Sequence, residues 1–225
     1  MSRASRPKPP GTFQIEAALS TADPPLGRII NAVVERSGQQ RPQRSKATPF
    51  EALVRAVVYQ RMATGAAATI YQKLKATGSG VLTPANVQSM STTKLRSAGL
   101  SASKATYVRN LAEWFSTHAS HARELVTLPD EAVIATLSGI SGVGLWTINV
   151  FLIFSLQRPD VMPATDLGLR RGVQLMCGLK RPPTPEFVQQ RAQLWRPYRS
   201  IACVYLWNAI HLKLKPQDLG QEFTA

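Results

Sequence analysis

The sequence predicts an all-α protein, a bundle of about nine or ten helices. Three observations carry that prediction. Apolar residues recur at helical spacing in Phe50, Leu53, Val54, Val57 and Val58, and again in Tyr107, Leu111 and Phe115, so one face of each segment can be buried. No stretch sustains the period-two alternation of a half-buried strand. Capping residues followed by a first-turn proline or acid recur along the chain, as helix starts require.

Taken in order, residues 1–11 carry Arg3, Arg6 and Lys8 among prolines with no acid, which predicts a disordered basic tail; residues 12–225 then form the folded domain. An amphipathic helix is expected over about Pro25–Glu35. The breaker-rich stretch Ser37–Pro49, with Arg41, Arg44 and Lys46, connects it to the next helix, which starts at Phe50 and runs through Arg61. Thr83 before Pro84 is a cap, Gly99 ends a short helix, and Ser101 caps the one that carries Tyr107 and Phe115. Asp130 caps a helix over Glu131–Leu137, the turn Ser138–Gly144 follows, and an apolar helix covers Trp146–Leu156, giving a hairpin over about residues 131–156. Asp166 precedes a helix beginning at Leu167, and Thr184 before Pro185 and Glu186 starts another. No internal repeat is found.

A chain of 225 residues, 44% hydrophobic and 18% charged, can bury a core, which excludes disorder over most of its length. Its net charge of +14 favours a polyanionic partner over an acidic small molecule. From Ala52 to Ala112 the chain holds Arg55, Arg61, Lys73, Lys75, Lys94, Arg96, Lys104 and Arg109 and no acid, as a phosphate-facing surface would. No apolar run approaches the ~18 to 20 residues of a membrane span, and the first residues lack a signal-peptide core, so the expectation is a cytoplasmic chain with no membrane partner. Cys177 and Cys203 cannot build a four-cysteine site and are expected as buried thiols. His118 and His121 have the spacing of a metal pair but no third ligand, and fit a solvated helix end better.

The turn Ser138-Gly139-Ile140-Ser141-Gly142-Val143-Gly144 between two helices can offer backbone N–H groups and a helix N-terminus to a phosphate. Alone it is weak evidence, and Asp166 alone is simply a helix cap. Together, a Gly-Val-Gly hairpin followed by a Gly/Pro-rich segment and an Asp resembles the helix-hairpin-helix DNA glycosylase superfamily. Phe50–Arg61 resembles that family's "F-x-x-L-v-x-x-I-x-x-Q-Q" helix, and Ala98-Gly99-Leu100 with Lys104-Ala105 its "a-G-l-s-x-x-K-a" turn. Trp195-Arg196-Pro197-Tyr198-Arg199-Ser200 and Leu206-Trp207 resemble the 3-methyladenine DNA glycosylase II branch, in a short form without the extra N-terminal β domain. The resemblance implies a two-lobed helical bundle with its active-site cleft between the lobes.

It further implies base excision repair by a monomeric enzyme acting on double-stranded DNA, releasing alkylated purines, 3-methyladenine first and 7-methylguanine second. Asp166 becomes the catalytic carboxylate that stabilises positive charge building on the deoxyribose. A base methylated at N3 or N7 is already cationic, so no second acid is needed. Trp146 and Trp207 become the walls of the base pocket, their electron-rich faces matching an electron-poor base. Trp146 also stands where strand-cutting members carry a Schiff-base lysine, which implies no lyase activity. Gln60, Arg61, Met62, Gly142, Val143 and Gly144 become DNA contacts. Arg61 or Met62 fills the gap left by the flipped nucleotide, although Arg61-Met62-Ala63 departs from the family's usual residues there. No cofactor is required, but the main-chain carbonyls of Ser138, Ile140 and Val143 would hold Na⁺ or K⁺. Two other readings stay open at this level: a non-catalytic hairpin module that only binds DNA, and a glycosylase for an oxidised or deaminated base.

Overall fold

The computed structural model describes residues 11–43, 47–78 and 80–220. Residues 1–10 of the expected basic tail, with Arg44 and Lys46, lie outside the described residues. Among those described there are thirteen α-helices, two 3₁₀ turns and no strand. In chain order they are α1 (Thr12–Ala22), α2 (Pro24–Ser37), α3 (Pro49–Tyr59), α4 (Thr64–Thr77), α5 (Pro84–Ser89), α6 (Thr92–Ser97), α7 (Ala102–Thr117), α8 (Ala119–Glu124), α9 (Asp130–Ser138), α10 (Leu145–Phe154), α11 (Leu167–Cys177), α12 (Pro185–Arg191) and α13 (Arg199–His211). The count exceeds the expected nine or ten in part because the cap of α1, Gly11, has no side-chain acceptor to mark the helix start and because α5, α6 and α8 are only six residues long. No helix among the described residues is long and apolar enough to cross a membrane.

The predicted caps at Thr83, Ser101, Asp166 and Thr184 each accept a hydrogen bond from the backbone N–H three residues on. Asp130 does not: Pro129 occupies the cap and Asp130 is the first helical residue, where its charge still favours the positive end of the helix. The helix from Phe50 stops at Tyr59 rather than Arg61. Gln60 leaves the helical region (φ −49°, ψ 124°) and Arg61 turns left-handed at φ 55°.

The chain forms two compact units, one from residues 1–42 with 159–225 and the other from residues 43–158. In the first, α13 is central: residues Ser200–Leu206 are all buried, and the helix packs against α2 and α11. Gly172 of α11 makes that contact close, since a Cβ there would lie 2.8 Å from the Leu206 carbonyl oxygen. Asp23, wholly buried at the α1–α2 turn, accepts from Arg191 (Nε–Oδ2 2.8 Å) and from the Trp195 indole (2.8 Å), so a charge without access to water is paired and hydrogen-bonded. Buried Glu16 is likewise held by Tyr205 and Gln39. Cys203 is buried as expected, whereas Cys177 is only half-buried.

In the second unit α3 is central and packs against α4, α7 and α10 through Leu53, Val54, Val57 and Val58, all fully buried. Each such side chain contributes roughly 1.5 to 3 kcal/mol by leaving water. His118 is exposed at the C-terminal end of α7, its ring stacked on Trp114 at 5.2 Å; the His121 side chain lies outside the described residues.

Candidate functional site

The residues singled out from the sequence fall in both units. In the unit of residues 43–158, α9 and α10 flank the glycine turn. Ile140 N–H donates to the Leu137 carbonyl and Val143 N–H to the Ile140 carbonyl, so the loop continues as tight turns. Gly142 then takes φ 94°, and Gly144 caps α10 in extended conformation without a side-chain acceptor. The N–H groups of the first turn of α10 therefore have no side-chain cap of their own. Gly142 is required twice: its φ favours glycine, and a Cβ would lie 2.1 Å from Cγ of Tyr107.

Gln60, expected on DNA, lies behind this hairpin. Its Nε2 donates to the Gly142 carbonyl (3.0 Å) and to the buried Thr147 hydroxyl (2.7 Å). Asn110 donates to the Ser141 carbonyl (3.2 Å). The carbonyls that the family resemblance implies as monovalent-cation ligands, those of Ser138, Ile140 and Val143, are a hard all-oxygen set of the kind that suits Na⁺ or K⁺. The Ile140 oxygen already accepts one N–H, and a carbonyl has a second lone pair.

Arg61 and Met62 are exposed at the tip of the turn after α3, beside a pocket of about 550 Å³ that Ile70, Leu100 and Tyr107 also line. Three cations of the acid-free span are engaged within the protein. Lys75 pairs with Glu51 (2.7 Å), Arg109 donates to the Met90 carbonyl (2.8 Å), and Lys104 donates to the carbonyls of Val58 (2.6 Å) and Gln60 (2.9 Å). Burial lowers the Lys104 pKa. Arg61, Lys73, Lys94 and Arg96 are exposed. Trp146 is half-buried in the first turn of α10.

In the other unit Asp166 caps α11, its Oδ1 accepting from Leu169 N–H at 2.6 Å. The same oxygen accepts from the Trp207 indole N–H at 2.8 Å. Trp207, expected to offer a ring face to the base, thus also uses its edge to hold the carboxylate. Asp166 and Trp207 are brought together within this unit; Trp146 belongs to the other.

The segment that delivers Asp166 is fastened along one face of α13, because residues 199, 203 and 207 recur at helical spacing. Arg199 binds Asp160 through two nitrogens (2.6 and 3.0 Å), and Arg196 adds a third contact (3.1 Å). Burial raises the Asp160 pKa, but these two guanidiniums outweigh it and hold the carboxyl below its ordinary value. Buried Ser200 accepts from Val161 N–H (3.0 Å), Cys203 touches the Val161 carbonyl and Met162, and Trp207 completes the row at Asp166. Sequence reasoning assigned no role to Asp160, Arg199, Ser200, Thr147 or Asn110. The Arg199-Ser200 pair was visible only as part of a motif.

The family model of the HhH-GPD superfamily of base excision DNA repair proteins matches residues 54–197. DNA-3-methyladenine glycosylase 1 of Schizosaccharomyces pombe is 35% identical over 202 residues, covering 88% of this chain and 87% of that protein. Among solved structures, the S. pombe 3-methyladenine DNA glycosylase in complex with abasic DNA superposes with a TM-score of 0.79 at 32% identity, covering 88% of this chain and 97% of the other. A DNA-3-methyladenine glycosidase of Bacillus halodurans gives 0.72 at 28% identity over 96% of each chain. With a matching family model over most of its length and a relative this similar along nearly all of it, the chain belongs to the HhH-GPD superfamily of base excision DNA repair proteins.

Proposed function

We propose that this protein is a monofunctional DNA glycosylase of the 3-methyladenine II type, working as a monomer in the cytoplasm on double-stranded DNA. It hydrolyses the N-glycosidic bond of alkylated purines, chiefly 3-methyladenine and also 7-methylguanine, and leaves an abasic site. The observation that carries this reading is the Asp166 carboxylate, held by a backbone N–H and by the Trp207 indole. A carboxylate fixed by two donors is oriented before the reaction, so it stabilises developing oxocarbenium charge without reorganising.

As the C1′–N9 bond breaks, the cationic methylated base leaves with the bonding electrons and becomes neutral. Water adds at C1′ and releases its proton to Asp166 or to solvent. Asp166 acts on the sugar, and the faces of Trp146 and Trp207 favour a cationic base over a neutral one. At the hairpin Gly142-Val143-Gly144 the Val143 N–H is given to the Ile140 carbonyl, and the amides of the two glycines with the uncapped start of α10 suit a backbone phosphate. A monovalent cation held by the Ser138, Ile140 and Val143 carbonyls would add positive charge at that place. Arg61 and Met62, exposed at the tip of the turn, are the candidates to fill the gap left by the extruded nucleotide. Trp146 in place of an amine nucleophile supports hydrolysis without strand cleavage.

The test is single-turnover excision from duplexes carrying 3-methyladenine, 7-methylguanine, hypoxanthine or 8-oxoguanine, by wild type and Asp166→Asn. Asn keeps the helix cap and removes the charge, so base release should be lost while duplex affinity is kept. Release within about threefold of wild type, under about 1 kcal/mol of barrier, refutes the catalytic assignment. Duplex binding with no release of any base by wild type leaves a DNA-binding module instead. A borohydride-trapped protein–DNA adduct refutes the absence of lyase chemistry.

A further inference from the structure

Lys104, Tyr107 and Asn110 stand three residues apart on α7 and share one face of that helix. Each touches one of two elements of its unit, the end of α3 or the hairpin loop, that are proposed above to meet DNA. Lys104 donates to the Val58 and Gln60 carbonyls at the end of α3. Tyr107 fills the space beside Gly142, and Asn110 donates to the Ser141 carbonyl. Gln60 closes the circuit, with its own carbonyl on Lys104 and its side chain on Gly142 and Thr147.

We infer that this face of α7 sets the spacing between the turn Gln60–Met62 and the hairpin loop, and that Lys104 is a positioning residue for DNA engagement rather than a phosphate contact. The inference rests on the proposed glycosylase reading. The C-terminal carbonyls of α3 carry the negative end of its dipole, and those of Ala56, Val57 and Tyr59 accept from the backbone N–H groups of Gln60 and Met62. The Lys104 ammonium bonds the Val58 carbonyl at that negative end. It also bonds the residue next to Arg61, whose left-handed φ of 55° is a conformation that persists in a non-glycine residue only where its surroundings impose it. Without Lys104 the Gln60 carbonyl is released, the Arg61–Met62 tip relaxes, and the hairpin loses the strut that Gln60 provides. The two elements would then no longer meet the duplex in one fixed register.

The experiment compares full-length wild type, Lys104→Met and Asn110→Ala on a duplex with an abasic-site analogue, by fluorescence anisotropy from about 50 to about 200 mM NaCl. A 2-aminopurine beside the lesion reports unstacking. Lys104→Met keeps the stem and removes the charge; Asn110→Ala breaks the other end of the same face without touching a charge. Both should weaken binding, Lys104→Met about tenfold, and lower the 2-aminopurine signal, while the slope of log K against log salt stays that of wild type. A slope shallower by about 0.9 in Lys104→Met marks a direct phosphate contact and overturns the inference. Unchanged affinity and unstacking with only a lower melting temperature overturns it as well, by reducing Lys104 to a fold-stabilising residue. Should Lys104→Met fail to fold, Lys104→Gln supplies the salt slope and Asn110→Ala the affinity and unstacking, with the same results expected and the same results overturning the inference. Failure of wild type to bind the abasic duplex or release any base would instead sink the glycosylase reading, and this inference with it.

Discussion

Replacing Gly142 by Ala should damage the hairpin by two separable mechanisms. The new Cβ would sit 2.1 Å from Tyr107 Cγ, against about 3.5 Å for carbon atoms in contact, so ring or loop must move by about 1.4 Å. Overpacking of that order costs about 1 to 3 kcal/mol. The φ of 94° adds about 1 to 2 kcal/mol for any residue with a Cβ, giving a total of about 2 to 5 kcal/mol. Only the first part involves Tyr107. The double variant Gly142→Ala with Tyr107→Ala should therefore be more stable than the sum of the single effects by about 1 to 3 kcal/mol. Urea unfolding followed by tryptophan fluorescence measures the cycle, and anisotropy on duplex DNA follows the hairpin itself. Single effects that add to within about 0.5 kcal/mol would refute the clash as the cause.

Trp207→Phe keeps an aromatic ring but removes the N–H donor to Asp166. Stability should fall by about 1 kcal/mol and single-turnover excision about tenfold, with abasic-duplex affinity unchanged; equal rates would show that the indole does not orient the carboxylate. The lowered pKa of Asp160 means that its ion pairs with Arg199 and Arg196 add stability above the unfolded value near about 3.9 and lose it as the pH falls through the lower folded value. The difference in urea midpoint between wild type and Asp160→Asn should accordingly shrink below about pH 4, and a constant difference would contradict this. Asp23→Asn should cost about 3 kcal/mol because it leaves Arg191 beside a buried neutral group, whereas Arg36→Ala, at the half-exposed pair with Asp218, should cost under about 1 kcal/mol in the same unfolding assay.

What could be read from sequence was local chemistry. Thr83, Ser101, Asp166 and Thr184 cap their helices because a short polar side chain next to an amphipathic run needs no distant partner. α1 was missed because Gly11 stands at its cap and offers no side-chain acceptor. The end of α3 was misplaced because Arg61 does not look like a residue with positive φ. At the candidate site the motif located Asp166 and Gln60, but their partners are tertiary. Trp207 lies 41 residues from Asp166, and Gly142 and Thr147 lie 82 and 87 residues from Gln60. A residue's type says that it can donate; which carbonyl it reaches depends on the packing of other helices. For the same reason the acid-free span overstates the charge left for a polyanion, since Lys75, Lys104 and Arg109 bond groups of the protein itself.

The division of the chain has a consequence for synthesis on the ribosome. The unit of residues 43–158 lies inside the other in chain order, so its segments are complete while part of its neighbour is still untranslated. Asp23 must wait 168 residues for Arg191, and Glu16 waits 189 for Tyr205. At roughly 5 to 20 residues per second that is tens of seconds at the slow end. Until then Asp23 lacks Arg191 and Trp195, and Glu16 has Gln39 but not Tyr205, so two carboxylates destined for burial are incompletely paired, which keeps α1 and α2 hydrated and disfavours early collapse around them. Nascent-chain proteolysis at successive lengths should find residues 43–158 protected before residues 12–37.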